Sequence, residues 1–166
     1  MKKSVKQINL EKKIIKKLSG KCLEVAEYIF NDEEIQAIQD YANVVSIKRL
    51  GFNDHGPVHM CMSALNAITM FNLLLAANIK FNLEKEEIGS AEDSKIAVLI
   101  ASLLHDLGMT ITREKHEFMS VILAIPIITR ILEQFYHSNI RKKVVLRSLI
   151  VEGIFGHMAT QPIHSL

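Results

Sequence analysis

Hydrophobic positions recur at helical spacing over most of the chain. Ile8, Ile15, Leu18, Cys22, Val25 and Ile29 fall on one side of a first helical segment, with lysines between them. Asn31 or Asp32 can cap a second helix reaching about Arg49, with Ile35, Ile38, Ala42 and Val45 on its apolar face. The run Gly51 to Pro57 reads as a loop, and Pro57 suits the first turn of the long helix after it. From Val58 to Ile79, 22 residues pass without Lys, Arg, Asp or Glu. That length could span a bilayer, but His59, Ser63, Asn66, Thr69, Asn72 and Asn78 would be costly against lipid. The expectation is a core helix with no membrane contact, its Met60, Met62 and Met70 filling gaps.

Residues 80–93 are polar and predict an exposed connection that ends in a capping box, Ser90-Ala91-Glu92-Asp93. The stretch 96–107 is apolar on every side except Ser102 until it meets His105-Asp106. Gly108 then stands where a helix end favours a residue able to take positive φ. Two more helices are predicted, at about 115–136 with a kink or break at Pro126, and at about 140–156. No alternating strand pattern is present. The predicted fold class is all-α, a single-domain bundle of about six to seven helices.

Composition narrows the function classes. A chain of 166 residues can bury one domain core, and 49% apolar with 23% charged residues excludes a disordered chain. Two cysteines, Cys22 and Cys61, give no disulfide framework and suit a reducing compartment. No apolar run follows the basic N-terminus closely enough for a signal peptide, so a cytoplasmic location is expected. The net charge of +2 hides an asymmetry: residues 1–21 hold eight lysines and one glutamate, against 12 basic and 17 acidic residues in 22–166. This divides the chain into a basic N-terminal helical segment, 1–30, and a main helical domain, 31–166. The basic segment reads first as a solvated helix face. Nucleic-acid binding is disfavoured because no aromatics or glycine-rich loop interleave the lysines, and contact with a second copy in a homodimer stays open.

The chemistry lies in the histidines. Of seven, His137 follows Phe135-Tyr136 at a helix end and reads as a surface residue, and His164 lies near the terminus. His55 and His59 are four apart, and could share a helix face. His105 and Asp106 close the most hydrophobic helix, where an ionised carboxylate costs several kcal/mol unless it is hydrogen-bonded or meets a cation. Imidazole and carboxylate are ordinary divalent-metal ligands. Capping, or pairing with a lysine, is the alternative that spacing leaves open.

Four strings carry a resemblance: Asn53-Asp54-His55-Gly56-Pro57-Val58-His59, Leu103-Leu104-His105-Asp106-Leu107-Gly108, Arg113-Glu114-Lys115-His116-Glu117 and Ile154-Phe155-Gly156-His157. In this order they resemble the HD superfamily of metal-dependent phosphohydrolases, over about residues 45–166. The resemblance implies an HD-like bundle with His59, His105 and Asp106 as first metal ligands. It implies His116 and His157 as ligands of a second ion and His55 as an extra ligand, ranked lower. It implies one or two divalent ions per chain (Mn, Fe, Co, Ni, Zn or Mg), with Asp106 orienting water and Arg113 and Lys115 gripping a phosphate. The implied reaction is hydrolysis of a phosphate mono- or diester, with a nucleotide as the substrate class. One departure matters: HD enzymes close the first site with a later aspartate, and no aspartate follows Asp106 here. A truncated chain, a carboxylate from elsewhere such as Glu152, or a degraded site would each account for it. The alternative function is thus a non-catalytic HD-like module that binds metal or a nucleotide.

Overall fold

Local capping and turn residues divide the chain into eight α-helices, with no strand, over residues 2–158 that the computed structural model describes. The first helical segment is two helices, α1 (Val5–Ile15) and α2 (Gly20–Phe30). Ser4 caps α1, its hydroxyl accepting from the Gln7 N–H at 3.1 Å. Gly20 makes the break, with a φ of +57° that disfavours any residue bearing a side chain. Asp32 caps α3 (Glu33–Val44), its carboxylate accepting from the Ile35 N–H at 3.1 Å, and a single π-helical turn follows at Val45–Arg49. The long helix is α4 (Pro57–Ala76), ended by Asn78 in the left-handed region at φ +58°.

The connection expected to be exposed contains a short helix, α5 (Asn82–Lys85), with Phe81 just before it and Leu83 within it each only 2% exposed. Two apolar side chains suffice to anchor it, Phe81 stacking on Phe71 with ring centroids 4.0 Å apart. Ser90 and Asp93 form the predicted reciprocal capping box at the start of α6 (Ala91–Leu104). A 3-10 turn, Leu107–Thr110, leads to α7 (His116–Tyr136), which runs through Pro126 without ending. Proline removes only one backbone hydrogen bond, and the exposed Ile122 and Ile125 put that turn at solvent, where water can satisfy the freed carbonyl. Asn139 caps α8 (Ile140–Gly156) by accepting from the Lys142 N–H.

The all-round apolar character of α6 is explained by its place. It touches α2, α4, α5, α7 and α8, and Ile96, Leu99, Ile100, Leu103 and Leu104 are at most 1% exposed. Residues 2–30 join the same core through Leu10, Ile14, Cys22, Val25 and Ile29, so the basic segment is one wall of the domain. Lys3 turns inward, pairing with Glu11 at 2.8 Å and donating to the Phe30 carbonyl at 2.5 Å. Of the three methionines expected in the core, Met60 is fully buried while Met62 and Met70 are exposed, because α4 has neighbours on only part of its circumference. By length and composition α4 and α7 could each cross a membrane, a test that bundle helices also pass.

Polar contacts set the helix directions. Asp93, at the start of α6, accepts from Tyr136 Oη at 2.8 Å and Lys142 Nζ at 2.9 Å, which ties it to the end of α7 and the start of α8. The other ends of these helices therefore meet at the opposite pole: the C-termini of α6 and α8 with the N-termini of α4 and α7. His59, His105, His116 and His157 lie there.

Candidate metal centre

Four histidines from four helices converge on one carboxylate, Asp106. His59 from α4 and His105 from the end of α6 place Nε2 3.2 Å from Asp106 Oδ2 and 3.3 Å from each other. His116 from the start of α7 and His157 from the end of α8 place Nε2 3.2 and 3.5 Å from Asp106 Oδ1 and 3.0 Å from each other. These are two groups of three donors that could hold a metal ion, sharing Asp106 with one oxygen in each.

Helix ends make this arrangement from local sequence. The last carbonyls of a helix lack intrahelical partners, and a histidine just past the end can donate to one of them. His105 Nδ1–H donates to the Ser102 carbonyl at 2.9 Å and His157 Nδ1–H to the Ile154 carbonyl at 2.6 Å, each three residues back. His116 Nδ1–H donates to the Arg113 carbonyl at 2.9 Å, again three residues back. With Nδ1 committed as donor, the neutral ring turns its Nε2 lone pair inward. Three rings thus aim lone pairs at a carboxylate that also only accepts, an arrangement unfavourable without protons or a cation at its centre. Asp106 is 2% exposed and its Oδ2 receives no well-directed hydrogen bond.

The residues fit a divalent cation. Donors about 2.0–2.2 Å from a tetrahedral ion stand about 3.3–3.6 Å from one another, close to the 3.0–3.5 Å spacings here. Nδ1–carbonyl bonds are the usual outer support of ligating histidines. Three protein donors per group leave positions open for water or substrate.

A cation held here would compete with protons for the same nitrogens. Burial pushes the Asp106 carboxyl up, but the four surrounding imidazoles outweigh it and hold it well below the ordinary carboxylate range. The Asp106 carboxylate facing it raises His59 above its usual value, against burial. Burial lowers His116, but the Asp106 carboxylate and Arg113 carbonyl outweigh it and leave it raised. Raised histidines stabilise the metal-free fold below their unfolded pKa of about 6.5, and that contribution fades as pH rises through the folded value. Metal needs those nitrogens unprotonated. The rise in melting temperature on adding Mn(II) is therefore expected to be larger at pH 8 than at pH 6. A shift that is equal or larger at pH 6 would contradict this competition.

The remaining predicted residues are placed as follows. His55 lines the same cavity but joins neither donor group, its Nδ1 lying 2.8 Å from the Asn53 carbonyl and 2.9 Å from Ser46 Oγ. Arg113 lines the cavity with its guanidinium 5.4 Å over the Phe52 ring. Lys115 is exposed and lies outside the cavity lining; it takes the left-handed backbone, φ +55°, that turns the chain into α7 at His116. Glu152 belongs to neither group. His137 is exposed, as expected, and His164 lies outside the described residues.

Two supporting residues escaped sequence reasoning. Gln39 Nε2 donates to the Leu103 carbonyl at 2.8 Å, steadying the end of α6 just before the His105-Asp106 pair. Ser120 Oγ accepts from the Gly108 N–H at 2.8 Å, joining the turn after that pair to α7. Gly108 itself has no positive φ; instead α7 passes so close that its backbone leaves no room for a Cβ. Ser120 lies one turn beyond His116 on the same face, a spacing that could have singled it out.

No family model matches the chain, and no solved structure matches at a significant level. It is similar to an uncharacterised protein of Methanocaldococcus jannaschii, 29% identical over 133 residues that cover 80% of this chain and 51% of the relative. The chain thus spans about half the length of the curated relative it matches. That relative is itself uncharacterised, so the chemistry of the five converging side chains is what bears on function.

Proposed function

We propose that the chain is a metal-dependent phosphohydrolase of the HD type, acting on a phosphate mono- or diester. The observation that carries this reading is the division of Asp106, one oxygen turned to each histidine pair, as a carboxylate between two cations requires. Bound divalent cations would supply Lewis-acid charge to a phosphoryl oxygen and lower the pKa of a water towards neutrality. The chain's residues do the rest. His59, His105, His116 and His157 offer neutral nitrogens, and Asp106 supplies the negative charge that offsets part of a cation's. Arg113, at the cavity wall, offers a two-pronged donor to a phosphate and to the charge that builds on it during hydrolysis.

Elemental analysis of the purified chain is expected to find Mn, Fe, Co, Ni or Zn at up to one ion per donor group. A chelator should remove it together with hydrolysis of p-nitrophenyl phosphate or bis(p-nitrophenyl) phosphate, and metal should restore both. Hydrolysis that survives metal removal, or loaded protein that cleaves neither ester, would sink this reading. Arg113→Ala is expected to lower kcat/KM about 10–100-fold with metal content unchanged, the range for one lost charged hydrogen bond. Lower metal content in that variant would assign Arg113 a structural role instead.

One observation favours a second reading. Neither donor group holds a fourth protein ligand among the described residues, which suits a module that binds metal and a phosphate ligand without turnover. It predicts ligand-dependent thermal stabilisation with no phosphate release at any metal.

A further inference from the structure

We infer that the ester carries a long aliphatic group: the substrate class is an amphiphilic, single-tailed phosphate ester and not a nucleotide. The chemistry rests on the phosphohydrolase reading above; the binding preference does not.

The cluster opens into a cavity of about 840 Å³, near the upper end for small-molecule sites. On α4 its lining positions include His59, Ser63, Ala67, Phe71 and Leu74, a stripe on successive turns. At 1.5 Å per residue it runs roughly 22 Å. On α6 the lining runs back from His105 through Ala101, Val98 and Ala97 to Ser94. The two helices are antiparallel, since His59 meets His105 at 3.3 Å while Lys95 Nζ sits 5.4 Å from the Phe71 ring. One void therefore leads from the histidines to the far pole, where Phe81 and Leu83 line it and Met70, 60% exposed, meets solvent.

Its two ends differ in chemistry. At the cluster end stand the five donor side chains and Arg113, the one Lys or Arg among the lining residues described. Beyond Ser63 the walls are mostly methyl groups, methylenes and phenyl rings, with Asn82 and Ser94 the polar side chains there. Ser94 is already engaged, its hydroxyl donating to the Ser90 carbonyl at 3.3 Å. A nucleotide's base and ribose would exchange water for walls that return few hydrogen bonds, a loss that such sites discriminate against. An alkyl chain gives up no hydrogen bond and leaves water along its length. The cleavage step balances simply. Water oxygen forms the new bond to phosphorus, the ester P–O bond breaks, and the long-chain alcohol leaves with a proton from the water.

The test uses the Mn(II)-loaded 166-residue chain, with n-butyl, n-hexyl and n-octyl phosphate below their micellar concentrations and adenosine monophosphate beside them. Calorimetry reads binding, and phosphate release reads turnover. Affinity is expected to rise about fourfold per methylene, with octyl phosphate binding at least about tenfold more tightly than the nucleotide. Ala67→Phe places a ring midway along the stripe, away from the metal ligands. It should flatten the chain-length dependence while metal content and butyl phosphate binding stay as in the parent. Val98→Phe tests the same point from α6 if the first variant does not fold.

Affinity independent of chain length, tighter binding of the nucleotide, or a dependence that both filled variants retain would overturn the inference. Chain-length-dependent binding without phosphate release would support it and refute the phosphohydrolase reading. Release from short esters with no chain preference would do the reverse.

Discussion

Asp106→Asn is expected to lower affinity for transition metal at both donor groups together, by at least about 100-fold, more than the loss of an outer-shell partner. His59→Ala and His157→Ala should each weaken one group and largely spare the other. Asp106 alone contributes to both groups, Oδ2 facing His59 and His105 and Oδ1 facing His116 and His157. Asparagine has nearly the same shape but no charge, and its NH2 would face one histidine pair with hydrogens where a lone pair is needed. Competition with a calibrated chelator, followed by elemental analysis, reads the effect. If the Asp106→Asn chain keeps the parent stoichiometry, the carboxylate is not the shared ligand and the metal reading fails.

Gly108→Ala is expected to destabilise the fold by about 3 kcal/mol or more, roughly 10 °C in Tm for a chain of this size. The added Cβ would lie 2.1 Å from the His116 carbonyl oxygen, 2.5 Å from Ser120 N and 2.9 Å from Met119 Cβ. Two of those atoms are backbone, so the start of α7 must move and His116 with it. Metal affinity at the His116–His157 group should fall further than at the His59–His105 group. Gly51→Ala is the control. Gly51 has a φ of +68° and nothing within 4 Å of its added Cβ, so it should lose only about 1 kcal/mol, from backbone strain. Thermal unfolding of the two variants side by side decides the matter, and a parent-like melting temperature for Gly108→Ala would show that α7 does not approach so closely.

Much of the architecture was legible because its signals are local. The polar caps at Asp32 and Ser90 act on N–H groups three residues away, so their effect does not depend on the rest of the fold. The lone apolar sweep of α6 implied neighbours on all sides, and it has them. Periodicity misled where it carried on through a break: the apolar register from Ile8 to Ile29 runs through Gly20, whose positive φ marks the break between α1 and α2. It misled again at Gly108, where a turn conformation was expected and steric clearance for another helix is the reason.

What the amino-acid order determined by itself is a set of helices and the positions of histidines at or beyond their ends, where i−3 carbonyls lie in reach. Those are short-range facts, set by hydrogen-bond geometry within one turn. Which rings meet was decided only by packing. His59 and His105 are 46 positions apart and His116 and His157 are 41 apart, and no local rule relates them. The alternating helix directions, anchored at the opposite pole by Asp93, Tyr136 and Lys142, bring them around Asp106. Tertiary packing also set His55 and Lys115 apart from the cluster and shaped its long apolar cavity, because the exposed or enclosed side of a helix depends on neighbours that spacing along the chain does not specify.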